Sequence, residues 1–175
     1  MVKLSIKNIS NNSFWLLTTL VLVSFSLEGA SMSLFSSKKE IVLSSPLEGI
    51  LTYEGKPLPN VKIERKLSWY DGEGEAVDFV VTDEKGYFNL PFVKKELKVG
   101  LTQLVILQKI YAKYKNEDAL VWHMAKLTDS EYSELGGKPV NLHCDLAIDY
   151  WINREPATVT TRCKWDSIEK IGNTK

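Results

Sequence analysis

The chain is poor in the residues on which most active sites depend. Its 175 residues include two histidines and two cysteines. Neither a Cys-x-x-Cys motif nor a Cys/His pair stands at the spacing of a metal or redox site. No serine occupies a Gly-x-Ser-x-Gly elbow. We therefore expect no catalytic residue, no cofactor and no metal ion, and we predict that the protein is not an enzyme.

An excess of charge of one sign is also missing. Lysine and arginine together number 22, as do aspartate and glutamate, and no basic run is present. Proteins that bind nucleic acid or an anionic membrane surface concentrate positive charge. We therefore predict no nucleic-acid partner. The hydrophobic fraction of 44% is sufficient for a folded core.

One uncharged stretch stands near the N-terminus, at residues 14–27, after Lys3 and Lys7. A basic segment followed by an apolar segment of this length is typical of a secretory signal peptide. A membrane span needs roughly 20 apolar residues. We expect residues 1–31 to be a signal peptide, and the protein to be periplasmic or secreted. The alternatives are an inner-membrane anchor that is retained, and a cytoplasmic protein that starts at Met32.

From Pro46 onward the hydrophobic pattern has a period of two, as in β-strands. In residues 61–69 apolar side chains alternate with polar ones, and only Arg65 interrupts them, with a stem that could lie along the apolar face. Residues 101–114 also fit a helix, but their β-branched and aromatic content favours a strand. The predicted strands are 47–53, 61–69, 76–82, 86–90, 101–114, 119–127, 139–146 and 157–165.

Turn residues separate these strands. Examples are Glu54–Pro57 and Asp83–Gly86, where the aspartate can accept backbone hydrogen bonds and the glycine can adopt a positive φ. The sequence thus predicts an all-β domain of about seven to eight mostly antiparallel strands over residues 46–166. A linker at 32–45 and a disordered tail at 167–175 complete the predicted organisation.

Two segments of this domain carry a known pattern. Residues 49–63 contain Gly-Lys-Pro-Leu-Pro-Asn-Val, and residues 81–90 contain Thr-Asp-Glu-Lys-Gly-Tyr-Phe. Both resemble the carboxypeptidase-regulatory-like, transthyretin-like β-sandwiches. The resemblance implies a prealbumin-like sandwich, a fold that serves mostly as an accessory, adhesive or binding module. The hydroxyisourate hydrolase branch of that fold ends in Tyr-Arg-Gly-Ser, which this chain lacks.

The remainder resembles a narrower group of proteobacterial proteins that share this module. The residues that carry the likeness are 108–111, Trp122, 134–139, Leu142, 144–146 and 163–165. Some small exported proteins of this general kind are immunity proteins, which neutralise secreted antibacterial toxins by binding them. The resemblance therefore implies a protein partner.

Cys144 and Cys163 are separated by a spacing that matches no metal or redox motif. In an exported protein we expect them to form one disulfide that clips the C-terminal hairpin. Closing a loop of this size contributes roughly 3 kcal/mol. The alternative is a pair of buried free thiols.

Aromatic side chains are the best candidates for partner contacts, because they bury a large area at low entropic cost. Tyr150 and Trp151 lie in an irregular connection, Trp69 and Tyr70 precede an acidic loop, and His123 lies on a predicted strand. We predict these five as contact residues, with Trp151 foremost. The alternative for Trp151 is that it plugs the end of the sandwich.

Carboxylates are concentrated between Asp71 and Asp78, in and after a glycine-rich turn. They lack the register of an EF-hand and its closing bidentate glutamate. We favour a solvated loop here, and a calcium site is the alternative.

These observations predict an exported, non-catalytic binding protein, of the immunity type, whose partner is another protein. The alternative is an envelope accessory module that binds carbohydrate or cell wall, or that scaffolds an assembly. A transthyretin-like hydrolase is a more distant alternative. The membrane would be a partner only if residues 14–27 are retained as an anchor.

Overall fold

A computed structural model of the protein describes residues 37–69, 74–99 and 103–171. The predicted signal peptide at 1–31 lies outside these ranges. The described residues form strands and turns without a helix. It follows that none of them belongs to a helix of the length and hydrophobicity needed to cross a bilayer.

The strands are short, and most are joined by tight turns. In chain order they are β1 (Ser37–Ser44), β2 (Leu47–Tyr53), β3 (Lys56–Pro57), β4 (Lys62–Trp69), β5 (Gly74–Val81), β6 (Tyr87–Leu90), β7 (Val93–Val99), β8 (Ile106–Tyr114), β9 (Glu117–Lys126), β10 (Lys138–Val140), β11 (His143–Asp145), β12 (Trp151–Asn153), β13 (Val159–Thr161), β14 (Cys163–Lys164) and β15 (Ser167–Glu169).

Two sheets contain most of these strands. The six-stranded sheet has the order β12-β13-β9-β8-β4-β5, and the five-stranded sheet has the order β14-β11-β2-β3, with β6 also paired to β2. Two small sheets pair β1 with β7 and β10 with β15. Among the pairings with a described register, β11 with β2 is parallel and the others are antiparallel. The predicted all-β, mostly antiparallel class is confirmed.

The main core is built from both large sheets. Leu51, Phe88 and Cys144 come from the five-stranded sheet, whereas Ile63 and Trp122 come from the six-stranded one. A strand with alternating side chains can bury only one face against a core. The alternation predicted for 61–69 is confirmed, since Ile63, Leu67 and Trp69 of β4 are buried.

The expected turn at Asp83–Gly86 is confirmed in detail. One carboxylate oxygen of Asp83 accepts hydrogen bonds from the backbone N–H groups of Lys85 and Tyr87, both at 2.8 Å. Gly86 has a φ of 75°. A side chain there would approach the Leu51 carbonyl oxygen, so only glycine fits this turn.

Two predicted boundaries are wrong. Residues 37–44, predicted as linker, form β1, and its Ile41 and Leu43 are buried in a second core beside Trp69. Residues 167–169, predicted as part of a disordered tail, form β15 and pair with β10. Both segments are ordered because a short strand elsewhere in the chain supplies their backbone partners.

Arg65 also departs from the prediction that its stem lies along the apolar face. The whole side chain is buried. Its guanidinium donates to both carboxylate oxygens of Asp78, at 2.9 and 2.5 Å, to the Ser44 hydroxyl and to the Pro91 carbonyl oxygen. A buried guanidinium is tolerated when its donors are paired in this way.

Candidate functional site

The candidate site lies on the outer face of the six-stranded sheet, the face turned away from the main core. One row of directly opposed residues crosses all six strands of this face. The row consists of Ile152, Thr160, His123, Lys109, Lys66 and Val77. The neighbouring rows along the strands are largely buried, as the alternation of strand side chains requires.

One margin of this face is apolar. Val77, Phe79 and Val81 are 61%, 59% and 53% exposed, and all three stand on β5. We call them the apolar edge. β5 is the last strand of its sheet, and among the described strands none pairs with its free side. Exposed apolar side chains on an unpaired edge strand are unusual, because they invite association.

The centre of the face is basic. Lys66 and Lys109 are directly opposite each other on β4 and β8. Glu64 forms ion pairs with Lys62 at 2.8 Å and with Lys66 at 3.2 Å. Lys109 forms no ion pair with any described residue, so its charge is not neutralised by the fold.

Beyond Lys109 the face opens into a cleft of about 790 Å³, which we call the His123 cleft. Strand residues form its floor, and the segments at 127–133 and 154–158 form its walls. Its apolar lining comes from Leu107, Met124, Leu127, Pro156 and Ala157, and its polar lining includes His123, Thr128, Ser133, Arg154, Thr158 and Thr160. This volume is within the range of small-ligand and side-chain binding sites.

Two features set the electrostatics of the cleft. Burial and then the charge of Lys109 hold the pKa of His123 below its ordinary value of 6.5, so the imidazole is neutral at neutral pH. Arg154 is exposed and pairs with no described residue. The cleft thus combines an apolar floor with an unpaired cation.

The hydroxyl group of Ser133 in the cleft has partners other than the imidazole. The Ser133 hydroxyl is hydrogen-bonded to Thr128 Oγ1 at 2.8 Å and to the Ser130 carbonyl at 3.0 Å, and not to His123. No three His, Cys, Asp or Glu side chains of the described part are close enough to hold a metal ion. Within this part of the chain, the arrangement is suited to binding.

Of the five predicted contact residues, the four that the structure describes do not form one surface. His123 lies on the outer face, whereas Trp69 is 4% exposed and packs in the second core. Tyr150 is 49% exposed beneath the Arg162 guanidinium, 4.4 Å from its ring centroid. Tyr70 lies outside the described residues.

Trp151 lies on the side of the sheet away from the outer face. It stands next to Ile152, which shares the outer row with His123, so its side chain lies on the opposite face of the sheet. Its indole donates to the Cys163 carbonyl at 2.8 Å, and its ring centroid is 5.3 Å from that of Trp165. Trp151 is half-buried in this position.

The cysteines form the expected disulfide. Cys144 of β11 and Cys163 of β14 are directly opposed and fully buried. In the acidic segment at 71–78, Asp78 forms an ion pair with Arg65, and Glu75 is exposed to solvent. Asp71 and Glu73 lie outside the described residues.

Sequence reasoning missed the apolar edge, Lys109 and Arg154. The sequence did contain one indication of the apolar edge. Residues 76–81 carry apolar side chains at both alternating sets of positions, which is more than a strand with one buried face requires. No sequence pattern indicated Arg154, because its exposure to the cleft depends on how the 154–158 segment turns.

The comparison with protein families gives one match. Residues 47–149 match the model of a family described as a domain of unknown function. The matched segment runs from β2 past β11, and so includes the apolar edge, Lys109 and His123 but not Arg154. Neither a curated protein nor a solved structure matches the chain.

Proposed function

The chain belongs to the DUF6795 family, whose description names no activity, and we propose that it is a non-catalytic protein-binding module of the cell envelope. In this proposal the partner binds the outer face of the six-stranded sheet. The apolar edge is the observation that carries the proposal, because three neighbouring side chains of an edge strand are each more than half exposed.

The free-energy cost of exposing apolar side chains to water is the argument for a partner. Leaving an apolar side chain in water forgoes roughly 1.5–3 kcal/mol of burial free energy. Proteins normally protect edge strands with charge, proline or a covering segment. On the outer face of β5 the one charged side chain is Glu75, at its start; beyond it, Lys62 of the adjacent β4 lies with its ammonium 4.3 Å from the Phe79 ring centroid. A partner that covers Val77, Phe79 and Val81 would recover the lost burial.

Export and architecture are parts of the same proposal. The charge-free segment at 14–27 has the pattern of a signal peptide. A disulfide is typical of proteins that fold in an oxidising compartment. The core shared by two sheets and the Asp83–Gly86 turn support a prealbumin-like sandwich. Immunity to a toxin is the most specific form of the proposal and rests on the resemblance alone.

The test uses matched variants on opposite sheets. Val77→Ser and Phe79→Ser alter the apolar edge, while Ile50→Ser alters an aliphatic residue that is 41% exposed on the five-stranded sheet. The wild-type protein is cross-linked in the periplasm, the partner is identified and purified, and its affinity for each variant is measured by calorimetry. We expect the two edge variants to lose roughly tenfold or more in affinity.

The control variant Ile50→Ser should bind as the wild type does, and all three should unfold at unchanged denaturant concentrations. Equal affinity of all variants for the partner would refute the proposal. Retention on peptidoglycan without a protein partner would instead support the accessory-module alternative.

A further inference from the structure

Directly opposed like charges mark one part of the outer face. Lys109 is directly opposite Lys66 on β4, and these two form the like-charge pair; on its other side it is opposite the neutral His123 of β9. Like charges in this position destabilise a sheet. Glu64 compensates Lys66 at 3.2 Å, but no described carboxylate compensates Lys109. Lys109 is therefore a solvent-exposed charge without a counter-ion among the described residues.

A second unpaired cation lines the adjoining cleft. The guanidinium of Arg154 forms neither a hydrogen bond nor an ion pair with a described residue. Lys109 beside the cleft and Arg154 in its wall are complementary to an anionic group bound near His123. A guanidinium binds a carboxylate through two parallel hydrogen bonds, which gives geometric selectivity.

The floor of the cleft adds an apolar requirement. Leu107, Met124 and Leu127 line it together with Pro156 and Ala157. A fully hydrophilic anion would leave the exposed ones among them, Leu107 and Leu127, in water. The ligand that fits the whole cleft therefore carries an apolar group next to an acidic one.

The edge strand β5 of the same sheet, separated from β8 by β4, favours a polypeptide long enough to cross the face over other polyanions. The free side of β5 carries backbone donors and acceptors that another extended chain can pair with. Lipids and nucleic acids cannot supply such a ladder. The equal numbers of acidic and basic residues also give no long-range attraction to a membrane or to nucleic acid.

We infer that the partner contacts this face with an acidic polypeptide segment, in which one carboxylate pairs with Lys109, another pairs with Arg154, and an apolar side chain between them fills the His123 cleft. This inference rests on the proposed function, since it specifies the chemistry of the partner. It also explains why the basic centre and the cleft lie side by side.

The probe is a capped, fluorescently labelled peptide in which glutamate alternates with leucine and phenylalanine. A matched peptide has lysine at every glutamate position. Binding to the purified full chain is measured by fluorescence anisotropy. We expect the acidic peptide to bind at least roughly tenfold more tightly than the lysine peptide, and to weaken as salt is raised.

Variants locate the binding site. Lys109→Gln and Arg154→Gln should each weaken the acidic peptide roughly tenfold, as loss of a charge-assisted hydrogen bond predicts. Lys113→Gln is the matched control, because Lys113 is also on β8 but is already paired with Asp118 at 3.5 Å. Thr158→Trp, which places a bulky side chain in the cleft, should also abolish binding.

Several outcomes would overturn the inference. These are equal binding of the two peptides, equal losses in Lys113→Gln and Lys109→Gln, and binding to phosphatidylglycerol vesicles in place of the acidic peptide. If the natural partner depends on Phe79 but not on Lys109 or Arg154, this inference fails while the proposed function stands. If it depends on neither set, both fail.

Discussion

Gly74 is the residue whose absent side chain matters most. It begins β5 directly opposite Trp69 of β4, and a Cβ at this position would overlap the Trp69 indole. Because that indole is buried in the second core, it has little space to move. We expect Gly74→Ala to lower the free energy of unfolding by about 1–3 kcal/mol, as measured by urea denaturation.

The control for this change is Glu75→Ala, which removes an exposed side chain from the next position of the same strand. It should alter the free energy of unfolding by less than about 0.5 kcal/mol. If Gly74→Ala were as stable as the control, the packing of Trp69 against β5 would be incorrect.

The buried ion pair between Lys126 and Glu134 is a second contact between individual residues on which stability depends. Lys126 Nζ lies 3.2 Å from Glu134 Oε1, and Gln108 and the Ser45 backbone N–H donate to the same oxygen at 3.0 Å. Burial alone would raise the pKa of Glu134. The charge of Lys126 and these hydrogen bonds outweigh burial and hold that pKa below its ordinary value of 4.5.

A depressed carboxyl pKa makes stability depend on pH in a defined direction. The contribution of Glu134 is complete above the ordinary value of 4.5 and is lost as the pH falls through the lower, folded-state pKa. We expect Glu134→Gln to cost roughly 3–5 kcal/mol at neutral pH, because Lys126 is left buried without a counter-charge. The variant should also lose less stability than the wild type on acidification, as followed by urea denaturation from neutral to acid pH.

Glu48→Gln is the comparison for that variant, since its ion pair with Lys138 at 2.7 Å is solvent-exposed. It should cost less than about 1 kcal/mol. A similar cost for the two variants would mean that the Lys126–Glu134 pair is hydrated.

Individual residues were predictable where their role is local. Asp83 and Gly86 form their turn from neighbouring atoms, so their sequence was sufficient to identify it. The burial of Arg65 and Lys126 was not predictable. Their compensating carboxylates, Asp78 and Glu134, stand on other elements, and periodicity says nothing about which elements meet.

At the scale of elements, the disulfide joins two of the shortest strands. β11 has three residues and β14 has two, and the bond links them at a directly opposed pair. We expect the double variant Cys144→Ala, Cys163→Ala to lose roughly 3 kcal/mol of stability, because the 19-residue loop is no longer closed when the chain unfolds. Denaturation with and without a reductant measures this.

Reductant should lower the stability of the wild type and leave the double variant unchanged. If the wild type were equally insensitive to reductant, either the bond would not form in solution or it would not contribute to stability.

The predicted strands correspond to real ones where alternation is strong. β2 coincides with the predicted 47–53 segment, and β4 and β9 differ from theirs by one or two residues at an end. β7 was missed because four of its seven residues are charged and, among its described side chains, Leu97 alone is buried in the second core. The segments at 139–146 and 157–165 each divide into two strands that join different sheets.

At the scale of the whole molecule, the site could not be read from the sequence. Its central row assembles six residues from strands spread between 62 and 161, and it depends on the register of every pairing between them. Among the described aromatic residues predicted as contacts, Trp69 is absent from the outer face because it packs in the second core. Trp151 packs against Trp165 on the other side of the sheet.

Export is a prediction about the complete chain. We expect protein recovered from the periplasm to begin between residues 27 and 32, and to have a mass two hydrogens below that of the reduced chain. Intact-mass analysis of that protein reports both properties. A chain that retains residues 14–27, or one with two free thiols, would contradict this expectation.

The parallel pairing of β2 with β11 has a consequence for how the molecule is made. Thr52 and His143, which are hydrogen-bonded to each other, are 91 residues apart in sequence, and such long-range pairing slows folding. Because the polypeptide emerges N-terminus first, β2 appears long before β11, its parallel partner strand. The five-stranded sheet can therefore close only after the C-terminal portion has emerged, so the newly delivered polypeptide passes through a stage in which one flank of β2 is open to chaperones and proteases.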